Sequence, residues 1–519
     1  MKIRISIFSI LYFSLFIITF YVLYGCILID DDLLKFKNLS GIGDNFQNPE
    51  HGYLFPWAFG FFISYKIPHL LNLNLQDYHI LPGAFFRALY IVLEVFVLVK
   101  ILFAKFPLPL KKSFCIEFSA GNAKFYASNK IKNDCILFKI LSILFCYMCI
   151  FFVHYKWFYT IMGWTAFSRL SLPMLILLGI VYYFSRNICF GYELTIRQKI
   201  VLYLLLFLAG MSGELQAAFL LIFLPLLFLF SDKKIFLINS MLPFCAGFIY
   251  TITRRNFIEN ILVKLSSDSI QEFFEKKHPL FDDMPNIVHL FFKDVIFENI
   301  ISCIIIICSS ILLLFMYKKK YILKHQAVFS FAAAAASFLT FAALLIPGRV
   351  NPEFYYIEYY FSHNDLKPAI GLFLIMCCLI NFSFLYEYFN KKKYIMLFIL
   401  ADIIMFFSFK SINAHGCILQ TGNFYSSLIT ISSNIKNNRI QDYVLYKIPP
   451  SDKKLDKKCL YISKNNYIDT CSFRGSYQDK ILEVMQKEKL TINSKIKFID
   501  LYKSYEDAVS KNEPMTDKI

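Results

Sequence analysis

The chain has 519 residues, 57% hydrophobic and 18% aromatic, with a mean hydropathy of +0.52. A soluble domain is about 45–50% apolar, so the excess, gathered into runs of roughly 20 apolar residues able to cross a hydrocarbon core about 30 Å thick, excludes an ordinary soluble protein. The formal charge of +17 does not point to nucleic acid: the lysines stand beside apolar runs, where they set orientation and meet anionic head groups, and no basic–aromatic stripe on a polar face accompanies them.

Eleven apolar segments read as membrane spans: 6–28, 79–104, 135–153, 165–184, 200–212, 215–230, 234–250, 299–317, 327–346, 369–389 and 394–409. The first is too long for a secretory signal core and has no small-x-small cleavage site; Leu23-Tyr24-Gly25-Cys26 puts a bulky tyrosine where a lipoprotein box needs a small residue, so a retained helix is expected. With Met1-Lys2-Ile3-Arg4 placed in the cytoplasm, the basic loops fall on one side each time: Lys111-Lys112 through Lys132, Arg186 through Lys199, Lys233-Lys234, Lys318-Lys319-Lys320 and Lys391-Lys392-Lys393. Segment 200–230 is either one long helix or two short ones broken at Gly210-Met211-Ser212-Gly213-Glu214; only the hairpin keeps the flanking basic residues together, so two helices are predicted. Short broken helices at membrane depth are tolerated where they line a protein cavity, which draws attention to Glu214.

Between spans, the aromatic stretch from Gly52 to Pro68 and the helically spaced Phe257, Ile258, Ile261, Leu262 and Leu265 read as helices lying in the interface. Ala332 to Ala336, followed by Ser337, form a small-residue run that admits a close neighbour, for packing first of all. Cys146-Tyr147-Met148-Cys149 has the spacing of a redox or zinc motif but lies in an apolar run without polar neighbours, where cysteine acts as a small filler. Cys459 and Cys471 are placed outside, where a disulfide is chemically permitted. After about residue 410 the composition turns polar. Tyr443-Val444-Leu445-Tyr446 and Leu460-Tyr461-Ile462 read as strands and 478–489 as a helix, giving two regions: a transmembrane domain, 1–409, and a small extracytoplasmic α/β domain, 410–519. The expected fold class is therefore an all-α polytopic bundle with that C-terminal addition, in a bacterial inner membrane.

The main candidate for chemistry is Asp30-Asp31-Asp32, at the outer mouth of the first span. Carboxylates are expensive beside hydrocarbon. Three together suit a general base for an acceptor hydroxyl, with a divalent cation as an optional companion held by Asp31 and Asp32; a solvated helix end is the alternative. No GxxxxGK[ST], no complete dinucleotide loop (Gly41-Ile42-Gly43 is followed by Phe46) and no HExxH occur.

An acidic pair just outside the first helix, Asp31-Asp32 followed by Leu33-Leu34, resembles the motif of the GT-C glycosyltransferases, polytopic enzymes that use polyprenyl-phosphate sugars. The layout is similar too: an aromatic interfacial stretch (Tyr53 to Tyr65), short paired helices with an acidic residue at their turn (Glu214) and a polar C-terminal extension, most like bacterial enzymes that modify O-antigen or other surface polysaccharide. Three aspartates in succession depart from the pattern, leaving the base open among Asp31, Asp32 and Asp30. The resemblance implies a lipid-phosphate sugar donor, a glycan acceptor and a cation for the phosphate. Arg349, held after Ile346-Pro347-Gly348, and Arg254-Arg255 are the candidates, because guanidinium binds phosphate bidentately; head-group anchoring explains them as well. Glu214 is a candidate for acceptor positioning and His51, beside Glu50, for substrate contact, while Tyr355, Tyr356, Tyr359 and Tyr360 offer stacking faces. A polysaccharide polymerase and a flippase of lipid-linked sugar are the rivals, the latter weakened by the absence of a repeat between the halves.

Overall fold

The computed structural model describes residues 3–23, 70, 84–105, 114–119, 122–127, 133–156, 164–212, 214–252, 292, 296–297, 299–344, 366–386, 391–411, 444–447 and 497–500. A short strand, β1 (Ile3–Ser6), leads into α1 (Ile7–Leu23), followed by α2 (Arg87–Leu102), β2 (Phe114–Ser119), β3 (Asn122–Ala127), α3 (Asn133–Lys156) and α4 (Trp164–Phe184). A π turn, Ser185–Cys189, extends α4 before α5 (Ile196–Gly210), α6 (Glu214–Phe230), α7 (Lys234–Ile252), α8 (Ile300–Lys318), α9 (Lys324–Leu344), α10 (Leu366–Leu385) and α11 (Lys391–Ser411). Each of the eleven helices among the described residues falls on one of the eleven apolar segments read from the sequence. Among the described residues three stretches, Ile136–His154, Ser171–Cys189 and Ile300–Lys318, are long and apolar enough to cross a membrane, and four shorter apolar helices accompany them.

One helix ends at Gly210 and the next begins at Glu214, giving two helices, as the charge argument required. α5 starts earlier than its apolar run because Thr195 and Gln198 form a capping box: Thr195 Oγ1 accepts from the Gln198 amide, 3.4 Å, and Gln198 Oε1 accepts from the Thr195 amide, 3.0 Å. Two otherwise orphaned helix donors are satisfied reciprocally. α5 then packs along α7 rather than along its sequence neighbour α6, which instead packs along α9. Within α9 the small-residue run faces inward: Ala332, Ala333 and Ala336 are buried, and Ser337 reaches Cys377 of α10 at 3.3 Å. Asn381 of α10 donates to Ser309, 2.7 Å, and Ser310, 3.3 Å, of α8 and accepts from Ser330 of α9. This buried polar knot joins three helices where lipid tails would give no apolar driving force of their own. Cys146 and Cys149 of α3 are buried free thiols, as their apolar surroundings predicted.

The basic loops share one end of the bundle, and contacts rather than charge counting establish this. β1 pairs antiparallel with β2, and β2 with β3, so the chain start is joined to the 111–132 loop. Tyr192 donates to the Lys105 carbonyl, 2.6 Å, tying the 186–199 loop to the end of α2. His325 Nε2 donates to the Cys189 carbonyl, 3.1 Å, and feels the charges of Asp232 and Lys233, bringing in two more loops. Tyr386 and Tyr394, flanking the last basic loop, stack and edge against Phe138 at the start of α3. The hairpin β2–β3 was not anticipated from the sequence. In the C-terminal region β4 (Val444–Lys447) pairs in parallel with β5 (Lys497–Asp500), where the first of the two expected strands was placed; 460–462, 478–489 and Cys459 and Cys471 lie outside the described residues.

His325 gives this loop junction a pH dependence. Burial holds its imidazole below the ordinary value of 6.5, and Lys233 pushes the same way, while the Cys189 carbonyl and Asp232 oppose. The unfolded chain therefore takes up a proton that the folded one resists, so the contribution of His325 is complete above about 6.5 and is lost as the pH falls through the lower folded value. The melting temperature of the purified protein should fall more steeply below that pH than the melting temperature of His325→Gln; parallel profiles would remove His325 from the account.

Candidate functional site

Polar side chains buried between α1, α2 and α3 form the site. On α2, Arg87 and Glu94 are seven residues apart, two helical turns or about 10 Å along one face, and both are fully buried. His154, near the end of α3 and also buried, donates from Nε2 to Glu94 Oε2 at 3.0 Å. Glu94 Oε1 has no hydrogen-bond partner among the described residues. Two turns back along α3, the Tyr147 hydroxyl meets the Thr19 hydroxyl of α1 at 2.9 Å, and Thr19 also donates to the Leu15 carbonyl, 2.6 Å. Edge-to-face contact between Tyr12 and Phe96, centroids 5.5 Å apart, continues the α1–α2 seam.

The position of this cluster follows from the helix directions. α1 leaves the basic-loop end at Ile7, α2 arrives there at Leu102, and α3 leaves it at Asn133. Arg87, at the start of α2, and His154, near the end of α3, therefore belong to the opposite end of the bundle, the end at which α1 finishes at Leu23 and the chain proceeds towards Asp30. Ionisable groups inside an apolar bundle are costly unless paired, so they mark functional candidates. The pairing of Glu94 with His154 meets part of that cost.

Of the residues singled out in the sequence, Asp30, Asp31, Asp32, His51, Arg254, Arg255 and Arg349 lie outside the described residues, as do Glu50, Tyr53 to Tyr65 and Tyr355 to Tyr360. Glu214 opens α6 directly after the break. Glu94, His154 and Arg87 were not singled out, although the signal was available: Glu94 and Arg87 interrupt the 79–104 apolar run, and His154 stands one residue past the 135–153 run. A further carboxylate, Asp402 in the middle of α11, is half-buried in the helix packed along α3, and neither of its oxygens has a hydrogen-bond partner among the described residues. No group of three or more His, Cys, Asp or Glu side chains is gathered for a metal among the described residues.

Bundle and cluster together define a helical protein with candidate membrane spans and a buried ionisable pair near one end. No family model, curated protein or solved structure matches this chain.

Proposed function

We propose that the chain is a multi-pass membrane glycosyltransferase of the GT-C type, moving a sugar from a polyprenyl-phosphate donor to a surface-polysaccharide or lipid-linked acceptor on the non-cytoplasmic face. In this reading all eleven helices cross the bilayer, the basic loops and the N-terminus are cytoplasmic, and the region after residue 410 is external. The observation that carries it is the buried Glu94–His154 pair with Arg87 at the end of the bundle opposite the basic loops, the end at which α1 finishes at Leu23, a few residues ahead of Asp30-Asp31-Asp32 in the sequence.

The acceptor hydroxyl gives its proton to Asp31 or Asp32 and attacks the anomeric carbon with inversion. The bond from that carbon to the phosphate oxygen breaks, and its electron pair leaves with the lipid phosphate, held by Arg349 with Arg254 and Arg255 in support. Glu214 and His51 orient the acceptor. Glu94 and His154 act as positioning residues, fixing α2 against α3 at the end of the bundle where the reaction is placed. Asp31→Asn and Asp32→Asn should each lose transfer by about 100-fold or more, the usual worth of a positioned general base, while membrane insertion is unchanged. Full activity of both single variants and of the double variant refutes the mechanism. Surface polysaccharide compared with and without the gene separates the rival: a missing side-branch sugar supports the transferase, a missing polymer ladder a polymerase.

A further inference from the structure

At the basic-loop end, two cations meet with no counter-charge among the described residues. Lys100, in the last turn of α2, and Arg186, in the π turn after α4, are both half-buried. They share one ring: Tyr182 has the Lys100 ammonium 5.5 Å and the Arg186 guanidinium 5.8 Å from its centroid. Each also faces a second ring, Lys100 that of Phe96 at 4.3 Å and Arg186 that of Tyr192 at 5.0 Å. The two charges repel one another across this small space. No carboxylate among the described residues pairs with either.

Arg186 has five N–H donors, and the sole acceptor among the described residues is the Tyr182 hydroxyl at a long 3.4 Å, with Nε buried and unused. Lys100 has three donors and no hydrogen-bond acceptor there. Aromatic faces attract cations but do not neutralise them. The chain nonetheless builds this arrangement deliberately. Gly191 adopts φ +69°, a left-handed conformation that glycine reaches without steric cost. The Tyr192 amide then donates back to the Arg186 carbonyl, 3.0 Å, in a helix closure widened by the π turn before it. Asn187 donates to the Tyr192 carbonyl, 3.1 Å, and the Tyr192 hydroxyl is fixed on Lys105. Tyr192 is thus folded over Arg186 and held from both sides.

The geometry points to a binding site for one phosphate-bearing anion between α2 and α4, gripped by Lys100 and Arg186 and flanked by Tyr182 and Tyr192. A guanidinium fork with a point-charge ammonium suits phosphate oxygens. Tyrosines at a helix end lie at head-group level in a bilayer, so the phosphate is supplied by an anionic lipid or taken free from the aqueous side. The site is independent of the transferase reading, being at the other end of the bundle from the Glu94–His154 pair.

The test uses the purified full-length chain in neutral detergent. Native mass spectrometry follows phosphatidylglycerol and phosphatidylcholine added to wild type and to the double variant Lys100→Gln/Arg186→Gln, and thermal melting follows added inorganic phosphate. Wild type should hold one phosphatidylglycerol at least tenfold more tightly than the double variant does and prefer it to phosphatidylcholine; a thermal shift by inorganic phosphate that the double variant loses assigns the site to free phosphate instead. Equal binding by both proteins with no phosphate-dependent shift overturns the proposal, as does equal affinity for the two lipids with no such shift. Should the double variant not fold, salt titration of wild type decides: binding that does not weaken as salt rises overturns the site.

Discussion

Gly247→Ala is expected to destabilise the bundle, although inside a helix the same change ordinarily stabilises by about 1 kcal/mol. A Cβ on Gly247 of α7 would overlap the Phe207 carbonyl oxygen of α5, and one on Gly210 would overlap the Phe244 carbonyl oxygen and stand 2.7 Å from the Phe248 amide. Both obstacles are backbone, so neither can rotate away. The two helices must separate along the seam that forms the main contact of either. Overpacking a close-packed interior costs about 1–3 kcal/mol even when side chains can adjust, enough to reverse the propensity gain. Gly179→Ala is the control: its Cβ would meet only the tip of Leu205, at 3.1 Å, so a small change of either sign is expected. Thermal melting in detergent should place Gly210→Ala and Gly247→Ala well below wild type and Gly179→Ala near it. Equal melting of all three would mean that α5 and α7 do not approach so closely.

That seam illustrates which parts of the fold a sequence exposes. Helices α1 to α11 were legible because an apolar helical run is local: its residues announce it whatever they pack against. The break before Glu214 was legible through charge, since one continuous helix would have put Lys199 and Lys233 on opposite sides. The partners of a helix were not legible. Nothing in Gly210 says that it meets Gly247 rather than a residue of α6, because registers between helices depend on the whole bundle. The same holds for Glu94 and His154. Each could be seen as an ionisable residue in or beside an apolar run, but their meeting needs α2 and α3 to pack at one particular height. Arg186 was visible only as the first residue of a basic loop and Lys100 only as a lysine inside the 79–104 run, and the shared Tyr182 ring that makes them a pair is a tertiary fact. The aspartates at 30–32 and Arg349, on which the sequence argument leaned most, fall outside the described residues, so their chemistry rests on the variants proposed for them.

Glu94→Ala is expected to be the most damaging single change on α2, and its size reports how the pair is held. Removing one partner of a buried charged pair costs about 3–5 kcal/mol because the other charge is stranded. A neutral hydrogen bond between membrane helices is worth only about 0.6 kcal/mol on average. Steric loss alone does not separate these cases, so the double-mutant cycle Glu94→Ala, His154→Ala and both together is the measurement. A strongly charged pair gives a coupling of a few kcal/mol, with the double variant more stable than Glu94→Ala, while a coupling below about 1 kcal/mol makes the contact incidental. Glu94→Gln then separates support from function: it preserves volume and an acceptor for His154 Nε2 while removing the carboxylate. In the transferase reading Glu94→Gln melts near wild type but transfers sugar at least tenfold more slowly, because a neutral amide holds His154 in a weaker bond than the carboxylate does and places α2 against α3 less closely. If Glu94→Gln leaves both melting and surface glycan unchanged, the pair is packing alone, and the link drawn between it and the aspartates beyond α1 fails.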